Sequence, residues 1–230
     1  MITETQPQAF NVSNSPTVQY QRVVFSDFDG TITAEETFVA LLKAFTPQLS
    51  AELMPEMYAR RLTLREGVRR LLESIPASQY PEILEFSRSK TMRPGLPELL
   101  DFLDRHQVPF VVISGGVRGM VETVLADLKP RMAGIHAVDL DLSQDYCRVI
   151  PTYEDGTELV AKVNVMAQYP CQEAIAIGDS ITDLNMALAA PVVFARDRLA
   201  QYLDEHGKSY IPWNDFFEIR DYLAQRWEES

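Results

Sequence analysis

The sequence predicts an α/β fold, a doubly wound parallel sheet with a small helical domain inserted after the first strand. Short β-branched and aromatic runs at 23–25, 108–113, 174–177 and 191–195 alternate with amphipathic stretches. That rhythm belongs to parallel strands joined by crossover helices of about ten residues. Between the first two runs, residues 35–91 carry apolar side chains at three- and four-residue spacing and no strand pattern. A separate helical unit accounts for the interruption. A chain of 230 residues has room for one substantial core and a smaller attached domain.

Residues 1–19 are polar and without periodicity, which predicts a disordered or loosely attached arm. The core is expected over 20–34 and 92–230, and the helical unit over 35–91. Val23-Val24-Phe25 suits a strand buried on both faces. Helices are expected at 36–44, 49–62, 65–72 and 79–86. After Arg93-Pro94-Gly95 the pattern predicts a helix at 96–106, a strand at 108–113 and a helix at 117–128. Two short strands follow within 133–153, around the polar turn Ser143-Gln144-Asp145. A helix at 158–168, a strand at 174–177, a helix at 183–189 and a strand at 191–195 complete the alternation. Trp213, Phe216 and Phe217 are expected to dock a last helix.

Apolar residues make up 46% of the chain and charged residues 23%, as in ordinary globular enzymes. The net charge of −12 argues against nucleic acid or an anionic membrane surface as a partner. It leaves room for a small anionic substrate held by a local cation. No apolar run approaches the roughly 20 residues that span a bilayer, and the N-terminal residues lack the pattern of a secretory signal. Cys147 and Cys171 show no metal-type spacing and are expected as free thiols in a reduced cytoplasm.

In a doubly wound sheet, ligands bind at the carboxyl ends of the strands, near the switch in strand order. Three such ends carry chemistry. The first runs Asp27-Phe28-Asp29-Gly30-Thr31-Ile32-Thr33. Carboxylates at i and i+2 of an extended chain point to one side. Their repulsion raises one pKa unless a cation sits between them. Asp27 then suits attack on phosphorus and Asp29 suits acid–base work. Gly30 and Thr31 allow close backbone approach. The alternative, a turn and a helix cap, becomes a poor account of the whole string directly after an apolar strand.

The second end is Ser114-Gly115-Gly116. A hydroxyl with free N–H groups at a helix N-terminus can cradle phosphate; a serine N-cap explains the same residues. The third is Gly178-Asp179-Ser180-Ile181-Thr182-Asp183. Asp179 emerges at the strand end and Asp183 lies near a helix start, either as a metal-site carboxylate or as a cap. Magnesium takes oxygen ligands, so one direct and one outer carboxylate suit it. Lys162 sits close to the start of its predicted helix, where a cation opposes the dipole. It serves Asp27 and a bound phosphate, or else is a solvated lysine. Arg61, Arg65 and Arg69 repeat every fourth residue, as a stripe facing either the cleft or solvent. His106, His136 and His206 share no placement and read as packing or surface residues.

DFDGTIT, a strand ending at Ser114, then Lys162, then GDSITD resemble, in order and spacing, the motifs of the haloacid dehalogenase superfamily over residues 21–223. The resemblance implies a Rossmannoid core and a Mg²⁺-dependent phosphatase working through an aspartyl-phosphate. It makes Asp27 nucleophile and metal ligand, and Asp29 acid/base with a main-chain carbonyl on the metal. Thr31, Ser114, Gly115 and Lys162 hold phosphate, and Asp179 and Asp183 complete the metal site. The helical unit resembles the cap of the phosphoserine phosphatase branch. LREGVRRLLESIP, FVVISGG, IGDSITD, VFARDRLAQYLDEHG and IPWNDFFEIRDYL resemble the methionine-salvage phosphatases acting on 2-hydroxy-3-keto-5-methylthiopentenyl-1-phosphate. Glu36 and Arg69, by similarity of position to the residues that read phosphoserine, keep phosphoserine phosphatase as an alternative; Arg65 joins them as a candidate selector. A phosphate or metabolite binder without catalysis is the alternative of another class. It needs no general acid, whereas Asp29 is present.

Overall fold

The computed structural model describes residues 19–228; residues 1–18 of the predicted arm lie outside them. A seven-stranded sheet forms the centre. Its strands are β1 (Tyr20–Ser26), β2 (Phe110–Val117), β3 (Gly134–Asp141), β4 (Arg148–Ile150), β5 (Cys171–Gly178), β6 (Val192–Ala195) and β7 (Ile211–Pro212). The spatial order is β4-β3-β2-β1-β5-β6-β7, with β4 antiparallel to β3 and the other pairs parallel. Val23, Val24 and Phe25 of β1 are fully buried, as a strand covered on both faces requires. The order of strands reverses at β1, between β2 and β5. The crevice at their carboxyl ends is therefore the expected binding place.

Between β1 and β2 come α1 (Thr37–Phe45), α2 (Pro47–Tyr58), α3 (Leu64–Glu73), α4 (Tyr80–Arg88) and α5 (Leu96–Arg105). The Thr63 hydroxyl caps α3 by accepting the Glu66 N–H at 3.1 Å. α4 packs against α6 (Arg118–Leu125) of the core, which anchors the helical segment. Its apolar side chains join the sheet in one continuous core, through Leu41, Leu71 and Ile83 among others. The chain crosses between core and segment twice, and the two crossings meet in one antiparallel bridge, Thr33–Met92, closed by the Ala34 N–H on the Thr91 carbonyl at 3.0 Å and the Arg93 N–H on the Ile32 carbonyl at 2.7 Å.

The remaining helices are α7 (Lys162–Met166), α8 (Leu184–Ala189), α9 (Asp197–Glu205) and α10 (Phe216–Glu228). Three elements differ from expectation. The helix expected at 158–168 begins only at Lys162, because Glu158 and Val160 pair as extended chain with Asp155 and Tyr153. The second strand begins at Phe110 and continues through Ser114-Gly115-Gly116 to Val117, with a register shift against β3 between Ile113 and Val117. The N-cap of α6 is Val117, so Ser114 does not cap it. β7 and α9 extend the alternation past Ala195. Trp213 and Phe216 are buried where the last helix docks, as expected. The two cysteines are free thiols. Among the described residues, no helix is long and apolar enough to cross a membrane.

Candidate active site

Asp27 is the first residue past β1. Its N–H donates to the Ile177 carbonyl at 2.9 Å, which fixes the carboxylate at the mouth of the β1–β5 pair. Lys162, the first residue of α7, is 2% exposed and reaches across to it. Its Nζ donates to Asp27 Oδ1 at 2.5 Å and to Asp183 Oδ1 at 2.6 Å. Burial alone would pull this lysine down; Asp183 and Asp27 outweigh it, and the pKa is raised above the ordinary value. Lys162 is therefore a charged ammonium locked between two carboxylates.

Asp183 is fully buried, and its second oxygen accepts the N–H groups of Asp179 at 2.9 Å and Ser180 at 3.0 Å. It shapes the loop that presents Asp179. Asp179 receives the Thr31 hydroxyl on Oδ1 at 2.9 Å. Its other oxygen lies against Gly30, where a Cβ would sit 2.5 Å away and where φ is +83°. Only glycine suits both the left-handed backbone and that close approach.

Asp27, Asp179 and Asp183 each bring an oxygen to within 4.8 Å of the others. Burial, with Asp27 and Asp183 nearby, pushes Asp179 up to about 9. Burial and Asp183 push Asp27 up to about 6 against the pull of Lys162. Asp27 Oδ2 is buried and has no hydrogen-bond partner. An orphaned acceptor amid crowded carboxylates fits a divalent cation, and an all-oxygen donor set fits a hard one. Asp29 stands apart from this group. Its Oδ1 accepts the Phe38 N–H from the first turn of α1 at 2.9 Å. Burial pushes it up to about 7, against the Phe38 hydrogen bond that stabilises its anion. At neutral pH such a carboxyl both gives and takes protons.

Asp27, Asp29, Lys162 and Asp179 open on one cleft, with Asp183 behind its wall. Asp27, Asp29, Gly115, Lys162 and Asp179 line its floor, and side chains of α1, α2 and α3 form its roof. Of the other residues singled out in the sequence, Glu36 lines the cleft, while Thr31, Ser114, Arg65 and Arg69 are not among its walls. The Ser114 hydroxyl accepts the Gly116 N–H at 3.0 Å, within the irregular end of β2. Arg69 pairs with Glu154 and Glu73, and Arg61, which precedes α3, pairs with Glu56. Two of the three arginines of the expected stripe, Arg61 and Arg69, are thus held in ion pairs. The histidines take packing or surface places, as expected: exposed His106 packs on Phe102 and Trp227, buried His136 meets the Tyr169 hydroxyl at 2.8 Å, and exposed His206 meets the Tyr202 carbonyl at 2.7 Å.

Sequence reasoning passed over Arg93. Its guanidinium donates to the carbonyls of Gly30 at 2.8 Å, Thr31 at 3.1 Å and Asn214 at 3.2 Å, clamping the loop that follows Asp27. Its place directly after the second crossing, before Pro94-Gly95, was the only available hint.

A carboxylate, an ammonium and an acid of raised pKa, gathered at the switch point of a parallel sheet, define a hydrolase built for phosphoryl groups. The chain belongs to the haloacid dehalogenase-like hydrolases, whose family model matches residues 24–188. It is a phosphoric monoester hydrolase. Among curated proteins it is 55% identical over 207 residues to the 2-hydroxy-3-keto-5-methylthiopentenyl-1-phosphate phosphatase of Microcystis aeruginosa, covering 89% of this chain and 99% of that one. The Bacillus cereus protein of the same name is 32% identical, with 87% and 94% covered. Among solved structures, a phosphoserine phosphohydrolase-like protein from Francisella tularensis shares the fold. Its TM-score is 0.68 at 18% identity, covering 88% of this chain and 100% of that one.

Proposed function

We propose that this phosphatase hydrolyses 2-hydroxy-3-keto-5-methylthiopentenyl-1-phosphate, a step of methionine salvage, in the cytoplasm and with Mg²⁺ as cofactor. The 55% identity to a phosphatase of that name, over nearly its whole length, is the observation that carries the substrate. The two free thiols support the compartment.

Asp27 attacks phosphorus as the bond to the enol oxygen breaks. Asp29 gives its proton to that leaving oxygen, which completes the neutral enol product. The same carboxylate then takes a proton from water as the water attacks the aspartyl-phosphate, so Asp27 and inorganic phosphate are released. Lys162 holds Asp27 in place and balances charge on the transferring group. Gly115 offers main chain to the phosphate without a side chain in the way. Asp27 and Asp179 would hold Mg²⁺, with the Asp29 carbonyl and with Asp183 behind them. When bound, the ion neutralises phosphate charge and lowers the pKa of the crowded carboxylates. Helices α1–α4 act as a cap over the reaction, and the Phe38 N–H on Asp29 ties the acid to that cap. Thr31 works through Asp179, which its hydroxyl holds.

Phosphoserine is the second reading, favoured by Glu36 in the cleft. Its carboxylate needs a free cation, and the cleft's only basic side chain among the described residues is Lys162, already held by Asp27 and Asp183. Phosphate release from both esters with Mg²⁺ tests the choice. A kcat/KM at least about 100-fold higher for the enol phosphate is expected, the scale of one well-met or unmet polar group. A preference for phosphoserine would overturn the proposal.

A further inference from the structure

The cleft changes character along its length. Its floor is carboxylate, ammonium and glycine main chain. Its roof carries Val39, Leu42, Met54, Met57, Leu64 and Val68, from three different helices. Nothing about phosphoryl transfer requires this. An apolar wall that long, facing a charged floor, discriminates by what it excludes: a charged or heavily hydroxylated tail would lose its water there without gaining partners. An unbranched apolar tail would gain from burial of every methylene.

One position sets how deep that roof is. Gly67 lies in α3 against α2, and a Cβ on it would sit 2.2 Å from the Met57 sulfur and 2.6 Å from Met57 Cγ. Gly67 therefore lets Met57 lie back between the two helices. A larger residue would drive this flexible side chain toward the cleft it already lines, since the interior behind it is close-packed.

We infer that α1, α2 and α3 form a tail subsite for an unbranched, uncharged chain of the thioether class, and that Gly67 sets its depth by housing Met57. The inference deepens the proposed function by assigning the methylthio end of the substrate to Met54, Met57 and Val68. Methionine thioethers adapt to a soft, polarisable partner, and two of them stand in this wall.

A series of ethyl, butyl and hexyl phosphates tests the subsite independently of the natural substrate. With wild-type enzyme and Mg²⁺, kcat/KM should rise about fourfold per methylene until the tail fills the roof. In Gly67→Ala the hexyl-to-ethyl ratio should fall at least tenfold. Should that variant fold poorly, Val68→Thr keeps the side-chain shape and places a hydroxyl in the wall, and the same ratio should drop several-fold. A flat chain-length profile in the wild type, or an unchanged ratio in a folded variant, would overturn the subsite. If the profile is steep but the enol phosphate is not hydrolysed, the proposed reaction falls and the subsite stands.

Discussion

Lys162 enters the site from the first turn of α7, where its charge opposes the helix dipole, and the flanking Asp27 and Asp183 keep it charged. In Asp27→Asn this lysine retains Asp183, so the fold should survive while the attacking oxygen is lost. Turnover should fall by about 10⁴ or more, with an unchanged circular dichroism spectrum. Substantial activity in that folded variant would remove Asp27 from the nucleophile's role. Asp29→Asn removes a proton donor of raised pKa, and kcat should fall by about 10²–10⁴ with a smaller change in KM; a wild-type rate would mean another group is the acid. At this scale the sequence was legible where backbone geometry alone aligns side chains. Two carboxylates at i and i+2 after an apolar strand need no tertiary knowledge. Thr31, Ser114 and Arg93 were less legible, because what each touches depends on segments remote in sequence. The Thr31 hydroxyl meets Asp179 across most of the chain, and Arg93 reaches back to Gly30.

The elements show the same division. The strands β1, β5 and β6 follow from their apolar runs. The helix at α7 starts later than its periodicity implies, because the segment before it is spent as a wall: Leu159 and Val160 line the cleft. Glycines at 115 and 116 read as a strand end, yet β2 runs through them by shifting register. Arg65 and Arg69 are the instructive pair. Their spacing leaves open a stripe facing the cleft or solvent, and resemblance makes them candidate selectors of substrate. The Arg65 main-chain N–H bonds the Thr157 carbonyl at 3.0 Å and the Arg69 side chain pairs with Glu154, both on the segment that leads into the cleft wall. α3 is thereby latched to the core. The pair is partly exposed, at 30% and 18%, so it contributes about 0.5–1 kcal/mol. Arg69→Ala should raise KM about two- to fivefold with kcat nearly unchanged. A loss of about 100-fold confined to phosphoserine would show instead that Arg69 reads a substrate carboxylate.

At the scale of the whole molecule, the site sets a pH dependence of stability that metal should flatten. The native chain without metal holds Asp27, Asp29 and Asp179 at about 6, about 7 and about 9, all above the ordinary value of 3.8, with burial the first cause in each. Between pH 4 and pH 9 the folded protein therefore binds more protons than the unfolded chain. Stability is fully present below the unfolded pKa and is lost as pH rises through the folded values. In EDTA, Tm should fall steadily from pH 5.5 to pH 8.5. A divalent cation binds the deprotonated carboxylates and competes with those protons. It stabilises the native state by mass action, so its effect must grow with pH. With excess Mg²⁺ the melting curve should stay nearly flat over the same range, and the gap between the two conditions should widen toward alkaline pH. Asp179→Asn carries no charge to relieve, so its EDTA profile should flatten and its response to Mg²⁺ should shrink. Parallel Tm profiles with and without Mg²⁺ would mean that the buried carboxylates do not hold the ion. The orphaned oxygen of Asp27 would then need a different partner.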